Sequence, residues 1–202
     1  MKKAVWIAAI VLLVGVAAAA VFERTSRQAA SAGGEVSERS AQHLKTKIDA
    51  VKKARGLEGE RRLEQVEVSE AELESYVMFV LRDDIPARMD SIDVQLTPGA
   101  VAADTQLTFT SDSTGNAVVD ALLGGTHNFF VKGKLSGANR EGKFDLEEIR
   151  VDGIPVPKIL VETLLNKYVK PKYPEADLKE PFELPWRIDR IMVEQGKATI
   201  LY

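Results

Sequence analysis

The sequence predicts an α+β fold, an antiparallel sheet packed on two helices, preceded by an N-terminal membrane-spanning helix. Three observations lead there. The run Ala4–Phe22 spans 19 residues without a charge, between Lys2-Lys3 and Glu23-Arg24. The segment after Leu63 is rich in stretches that alternate apolar and polar residues, the period of a strand with one wet face. Two stretches in the same region instead carry apolar residues at helical spacing, each followed by proline.

The apolar run is long enough to cross a bilayer, which takes roughly 20 residues, and longer than the ~7–15 of a secretory core. Trp6 near its start suits a membrane interface. Ala17-Ala18-Ala19-Ala20 followed by Val21 also offers a signal-peptidase site, so residues 1–22 read as a transmembrane anchor or a signal peptide. Either places the rest outside the cytoplasm: a single-pass inner-membrane protein with its domain in the periplasm or outside, or a periplasmic protein if cleaved. With no cysteine there is no lipoprotein acylation, no disulfide, no thiol catalysis and no thiolate metal site.

Residues 23–62 read as a polar linker and a charged helical spacer. ERTSRQAASAGG is small and polar, and Val36, Leu44, Ile48 and Val51 then form a thin stripe over a helix expected from Ser37 to Arg55. This part holds ten Lys/Arg and six Asp/Glu, a balance of +4, whereas residues 63–202 hold fifteen and twenty-four, a balance of −9. A basic stretch beside a membrane is drawn to anionic headgroups. An acidic exported domain without a basic groove is no nucleic-acid binder.

The domain expected over 63–202 opens with a short strand at Val66 and Val68. Ser69-Glu70-Ala71-Glu72 is a capping box, and Leu73, Val77, Val80 and Leu81 follow on one helical face until Pro86 bars continuation. Ile92, Val94 and Leu96 alternate in a strand, Pro98-Gly99 turns the chain, and Val101, Ala103, Leu107 and Phe109 share one phase of the next. A short helix is expected over Asn116–Leu123. Asn128–Leu135 and Lys143–Val151 read as a hairpin with Gly137–Gly142 as its loop, and the apolar phase slips at Glu147-Glu148, the mark of a bulge. Pro155 and Pro157 lead into a second helix with Ile159, Leu160, Thr163, Leu164 and Tyr168 on its apolar face. After the extended Pro181–Trp186, a last hairpin, Ile188–Val193 and Ala198–Tyr202, turns at Gln195-Gly196.

This order resembles the small exported proteins of the TULIP-like (tubular lipid-binding) group. The residues that carry the likeness are the S-E-A-E-L-E-S-Y helix (Ser69–Tyr76), the two alternating hairpins, G-I-P-V-P (Gly153–Pro157) before an apolar helix, and P-F-E-L-P before the closing hairpin. The resemblance implies a curved antiparallel sheet packed on helices with an apolar groove for acyl chains, and no shared catalytic residues. This chain is short for the group, with room for about half a tube. Positions expected to face lipid are Val77, Leu81, Leu107, Phe109, Phe129, Val131, Leu160 and Leu164. The expected partners are the membrane and a lipid or other apolar ligand. A non-catalytic envelope domain that docks another protein is the alternative.

Motifs for chemistry are missing. There is no H-E-x-x-H, no G-x-S-x-G and no phosphate loop. His43 and His127 stand far apart, and Asp112-x-Thr114-x-Asn116 lacks the acidic residue that would complete a calcium loop. No enzyme, cofactor or metal site is expected; a hydrolase would have to assemble its site from dispersed residues.

Overall fold

A computed structural model describes residues 35–54, 63–82, 85, 87–109, 124–164, 166 and 180–202. The anchor, the linker and the helix expected over Asn116–Leu123 lie outside the described residues. Among these, no helix is long and apolar enough to cross a membrane.

The described residues are mostly sheet: nine antiparallel strands with few helices. In chain order the elements are α1 (Glu38–Ala54), β1 (Gln65–Ser69), α2 (Glu70–Phe79), β2 (Arg88–Thr97), β3 (Ala100–Phe109), β4 (Gly125–Ala138), β5 (Glu141–Val151), β6 (Ile154–Pro155), α3 (Lys158–Leu164), β7 (Phe182–Glu183), a 3-10 turn (Pro185–Arg187), β8 (Arg190–Glu194) and β9 (Lys197–Leu201). Strands β2, β3, β4 and β5 form a meander. A second ribbon, β1-β9-β8, joins it at one point, where Ile191 pairs with Gly137 beyond the end of β3. The junction is tight, since a Cβ on Gly137 would stand 3.2 Å from Ile191 and Leu184. The Pro98-Gly99 turn secures it further: the Gly99 amide donates to the Val193 carbonyl at 2.9 Å, and the Gly99 carbonyl accepts from Leu135 at 3.1 Å.

Most expected elements stand where the pattern put them. Ser69 caps α2 with its side chain on the Glu72 amide, while Glu72 returns to the Ser69 amide. Glu147 is an extra residue, because Lys132 faces Glu148 and Gly133 faces Leu146; the phase slip is a bulge. Phe144 lies across Gly133 there, so close that a Cβ would stand 2.4 Å from its ring. Three expectations need correction. The loop between β4 and β5 is not Gly137–Gly142 but the two-residue turn Asn139-Arg140, with φ of 55° and 67°. Both in left-handed conformation, they match the twist of the flanking strands and let the pairing continue to Ala138 and Glu141. Helix α2 stops at Phe79, so Leu81 is buried from the segment that follows it. In α3, Ile159 and Leu160 face outward and Val161 inward, one step out of the phase expected.

Helix α1 packs against the rest of the described fold. Ala41, Leu44 and Val51 are buried, and Val51 joins Leu184 and Ile188 in an apolar cluster of its own. Polar contacts secure the other end. The carboxylate of Glu72, 10% exposed, accepts from Lys47 Nζ at 2.7 and 2.8 Å and from the Ser69 amide at 3.0 Å, and lies 2.6 Å from His43 Nδ1. One side chain thus serves both the cap of α2 and the docking of α1.

The outward edge of β2 is closed by the same α2. Glu74 Oε1 accepts the Val94 amide at 2.8 Å and Glu70 Oε1 accepts the Leu96 amide at 2.6 Å. Burial raises the pKa of Glu74, the Val94 amide works against that, and the charges of Asp93 and Glu70 add to the rise. Alanine at both Glu70 and Glu74 leaves two backbone amides unpaired at a cost of about 1–3 kcal/mol each. The urea midpoint of the double variant is expected to fall accordingly, whereas the Gln pair, which keeps an acceptor oxygen, holds most of the stability. Equal midpoints for the two pairs would show that these bonds do not secure the edge.

Candidate functional site: an apolar cluster between helix and sheet

One face of the meander carries the largest cluster of buried apolar side chains. Alternation along β3 turns Leu107 and Phe109 to it, and the same phase of β4 contributes Phe129 and Val131. On either side of the bulge, β5 adds Leu146 and Ile149. From above, α2 sets Val77 against them, and Leu81 and Ile85 follow from the chain beyond it. Val161 of α3 completes the cluster. Leu107 is fully enclosed at 0% exposure, and the Phe109 and Phe129 rings meet at 5.8 Å with planes tilted by 53°.

Six of the eight positions expected to face lipid therefore come together: Val77, Leu81, Leu107, Phe109, Phe129 and Val131. Leu160 does not join them; it is 53% exposed on the outer side of α3. The side chain of Leu164 lies outside the described residues. Two further large apolar side chains, Ile154 and Ile159, are exposed along with Leu160, so the stretch Ile154–Leu160 presents three apolar groups to solvent. Helix α3 is thus apolar on both sides, with Val161 beneath.

At the end of the cluster stands a polar pair that the separation of the residues in sequence had hidden. His127 shares the phase of Phe129 and Val131 and lies opposite Leu107 in the register. Its ring meets Phe129 edge-on at 6.4 Å. Its Nδ1 is 2.6 Å from Asp152 Oδ2, while Asp152 Oδ1 accepts the Asn128 amide at 3.1 Å. Asp152 is held by the turn into β6, with φ of 48° and Gly153 at 84°. Partial burial pushes its pKa up, but the His127 bond, the Asn128 amide and the His127 charge outweigh that and hold the carboxyl below the usual range. The Nε2 atom of His127 is buried and has no hydrogen-bond partner. The one signal in the sequence was that His127 keeps the phase of Phe129 and Val131, two and four residues on.

The opposite face of the sheet is polar. Asp93, Asp104, Phe130 and Arg150 occupy one row across β2 to β5. The Arg150 guanidinium lies 4.2 Å over the Phe130 ring, with Nε 3.0 Å from Glu148 but not aligned for a hydrogen bond. Burial and the charge of Asp93 raise the pKa of Asp104, against the pull of Arg150. Among the described residues no group of His, Asp and Glu side chains is placed to hold a metal ion.

No protein-family model and no curated protein matches the chain. The likeness to the TULIP-like group stands on the sequence pattern alone.

Proposed function

We propose that this chain is a non-catalytic, membrane-anchored protein of a bacterial cell envelope that binds or handles lipid or another apolar ligand between sheet and helix. In this reading the run Ala4–Phe22 holds it in the inner membrane, with the domain in the periplasm or outside; cleavage after the alanine string would release it to the periplasm. The curved sheet and acyl-chain groove of the TULIP-like group are the finer form of the same proposal.

The observation that supports it most is the build of the α3 region. An apolar cluster of six expected lipid-facing residues lies beside a short helix that puts Val161 into it and leaves Ile159 and Leu160 outside. An acyl chain inserted beneath α3 would find apolar side chains on the sheet, and the outer side chains would meet the rest of the lipid or the bilayer surface. Burying each such group is worth roughly 1.5–3 kcal/mol. The second reading, a docking domain for another envelope protein, is favoured by the same exposed Ile154, Ile159 and Leu160, since contiguous exposed apolar groups mark interaction surfaces.

Both are tested on the full chain purified from its membrane in mild detergent. Organic extraction followed by mass spectrometry is expected to find lipid in stoichiometric amount, and a fluorescent fatty acid is expected to bind. A photo-crosslinking residue at Leu160 should capture lipid. Capture of one defined protein, with no co-purifying lipid and no fatty-acid binding, would replace the first reading by the second.

A further inference from the structure

We propose that His127, oriented by Asp152, is the polar end of this site and takes the carboxyl group of a fatty acid. The inference rests on the lipid-binding reading and names the ligand class. Asp152, held below the usual carboxylate range, is an acceptor at Nδ1, 2.6 Å away. The Nδ1 atom therefore carries a proton, and Nε2 is left as the free end of the ring. That atom is buried without a partner, as is Arg150 Nε, but Arg150 keeps the Glu148 carboxylate 3.0 Å away, and Glu72, Ser75 and Thr105 are all hydrogen-bonded. An unsatisfied buried nitrogen is costly, and a ligand atom that bonds to it removes the cost.

The surroundings specify the rest of the ligand. Leu107 stands opposite His127 in the register and Phe129 lies edge-on to it, both within the apolar cluster. A ligand reaching Nε2 from the cluster is apolar along its length and polar at one end. A carboxyl group suits that end in either protonation state. As the acid it donates O–H to the Nε2 lone pair, and as the carboxylate it accepts from Nε2–H, so one shared proton completes the pair. Among the described residues no Ser or Thr bonds to Nε2, and Thr126, the preceding residue in the chain, points to the other face and bonds Thr108.

The chain has two histidines, which makes the test direct. Full-length protein with ¹⁵N-labelled imidazoles, in maltoside micelles, is titrated with hexadecanoic acid, its methyl ester and hexadecyl phosphate, and His127→Gln identifies the resonances. The acid is expected to move the Nε2 signal of His127 and leave those of His43 in place. His127→Leu is expected to weaken the acid about tenfold, the worth of one good hydrogen bond, and to leave the ester unchanged. Asp152→Asn, which frees the ring to turn, should reproduce part of the loss. Where His127→Leu does not fold, the wild-type Nε2 shift decides by itself. Acid and ester binding alike with no movement at Nε2 would overturn the carboxyl site while the lipid reading stands. A shift with the phosphate and none with the acid would assign a different headgroup and overturn the proposal. No binding of any of the three would overturn both.

Discussion

A chain that ends at Lys197 is expected to be insoluble or to melt far below the intact protein. Strand β9 lies between β1 and β8, so deleting Ala198–Tyr202 unpairs two strands at once. On one side it removes the partners of Gln65, Val66, Glu67 and Val68; on the other, those of Arg190, Ile191, Met192 and Val193. The reciprocal backbone bonds between Glu64 and Tyr202, both 3.0 Å, are lost as well. Val68 and Val193, buried at 3% and 7% exposure, and the partly buried Ile191 would be uncovered. Each large apolar side chain is worth roughly 1.5–3 kcal/mol, against a whole margin of about 5–15 kcal/mol for a domain. Thermal unfolding followed by circular dichroism measures the difference. A truncated chain melting within a few degrees of the intact one would mean that β9 does not hold the ribbon together.

Glu72→Ala is expected to be the most damaging single substitution at a polar residue. It removes the acceptor of Lys47, the neighbour of His43 and the return half of the α2 cap in one step. Lys47, 21% exposed, keeps only its bond to the Glu67 carbonyl. Breaking a largely buried, hydrogen-bonded pair of this kind costs roughly 2–4 kcal/mol. Release of α1 should follow, seen as faster amide exchange over Glu38–Ala54. The same carboxylate carries a pH dependence. Burial pushes its pKa up, but bonds from Lys47 and the Ser69 amide, the Lys47 charge and the His43 bond hold it below the ordinary 4.5. A depressed folded-state pKa contributes stability that is present above the unfolded value and lost as pH falls through the folded one. The stability gap between wild type and Glu72→Gln should therefore be full at neutral pH and shrink as pH drops below about 4.5. Glu74, whose pKa is raised, works in the opposite sense, so the comparison is made at fixed Glu74. A gap independent of pH would show that Glu72 does not act as a charge.

What made the meander legible is that a strand's alternation and a helix's cap are written within a few residues of each other. Leu107 and Phe109, or Phe129 and Val131, share a phase that survives without knowing their neighbours, and these four did reach the buried cluster. Leu160 did not, because a seven-residue helix is too short for its periodicity to locate the buried face; a step of one residue carried Val161 inward instead. The hairpin loop between β4 and β5 was misjudged for a related reason. Glycines at Gly137 and Gly142 looked like loop punctuation, but Gly137 sits at the closest approach of two strands, and Gly142 lies beneath the Phe182 ring, 2.6 Å from where its Cβ would stand.

The sequence by itself determined the strands from β2 to β5, the bulge at Glu147, the capping box at Ser69 and the closing hairpin, because backbone geometry imposes those periods locally. Only the tertiary structure decided that α1 docks on Glu72, that Glu70 and Glu74 close the edge of β2, that β9 lies inside its ribbon, and that Asp152 meets His127 from 25 positions away. Those outcomes depend on register between segments far apart in the chain. One polar side chain among many finds its partner only when the sheet has set both at the same end of the same face.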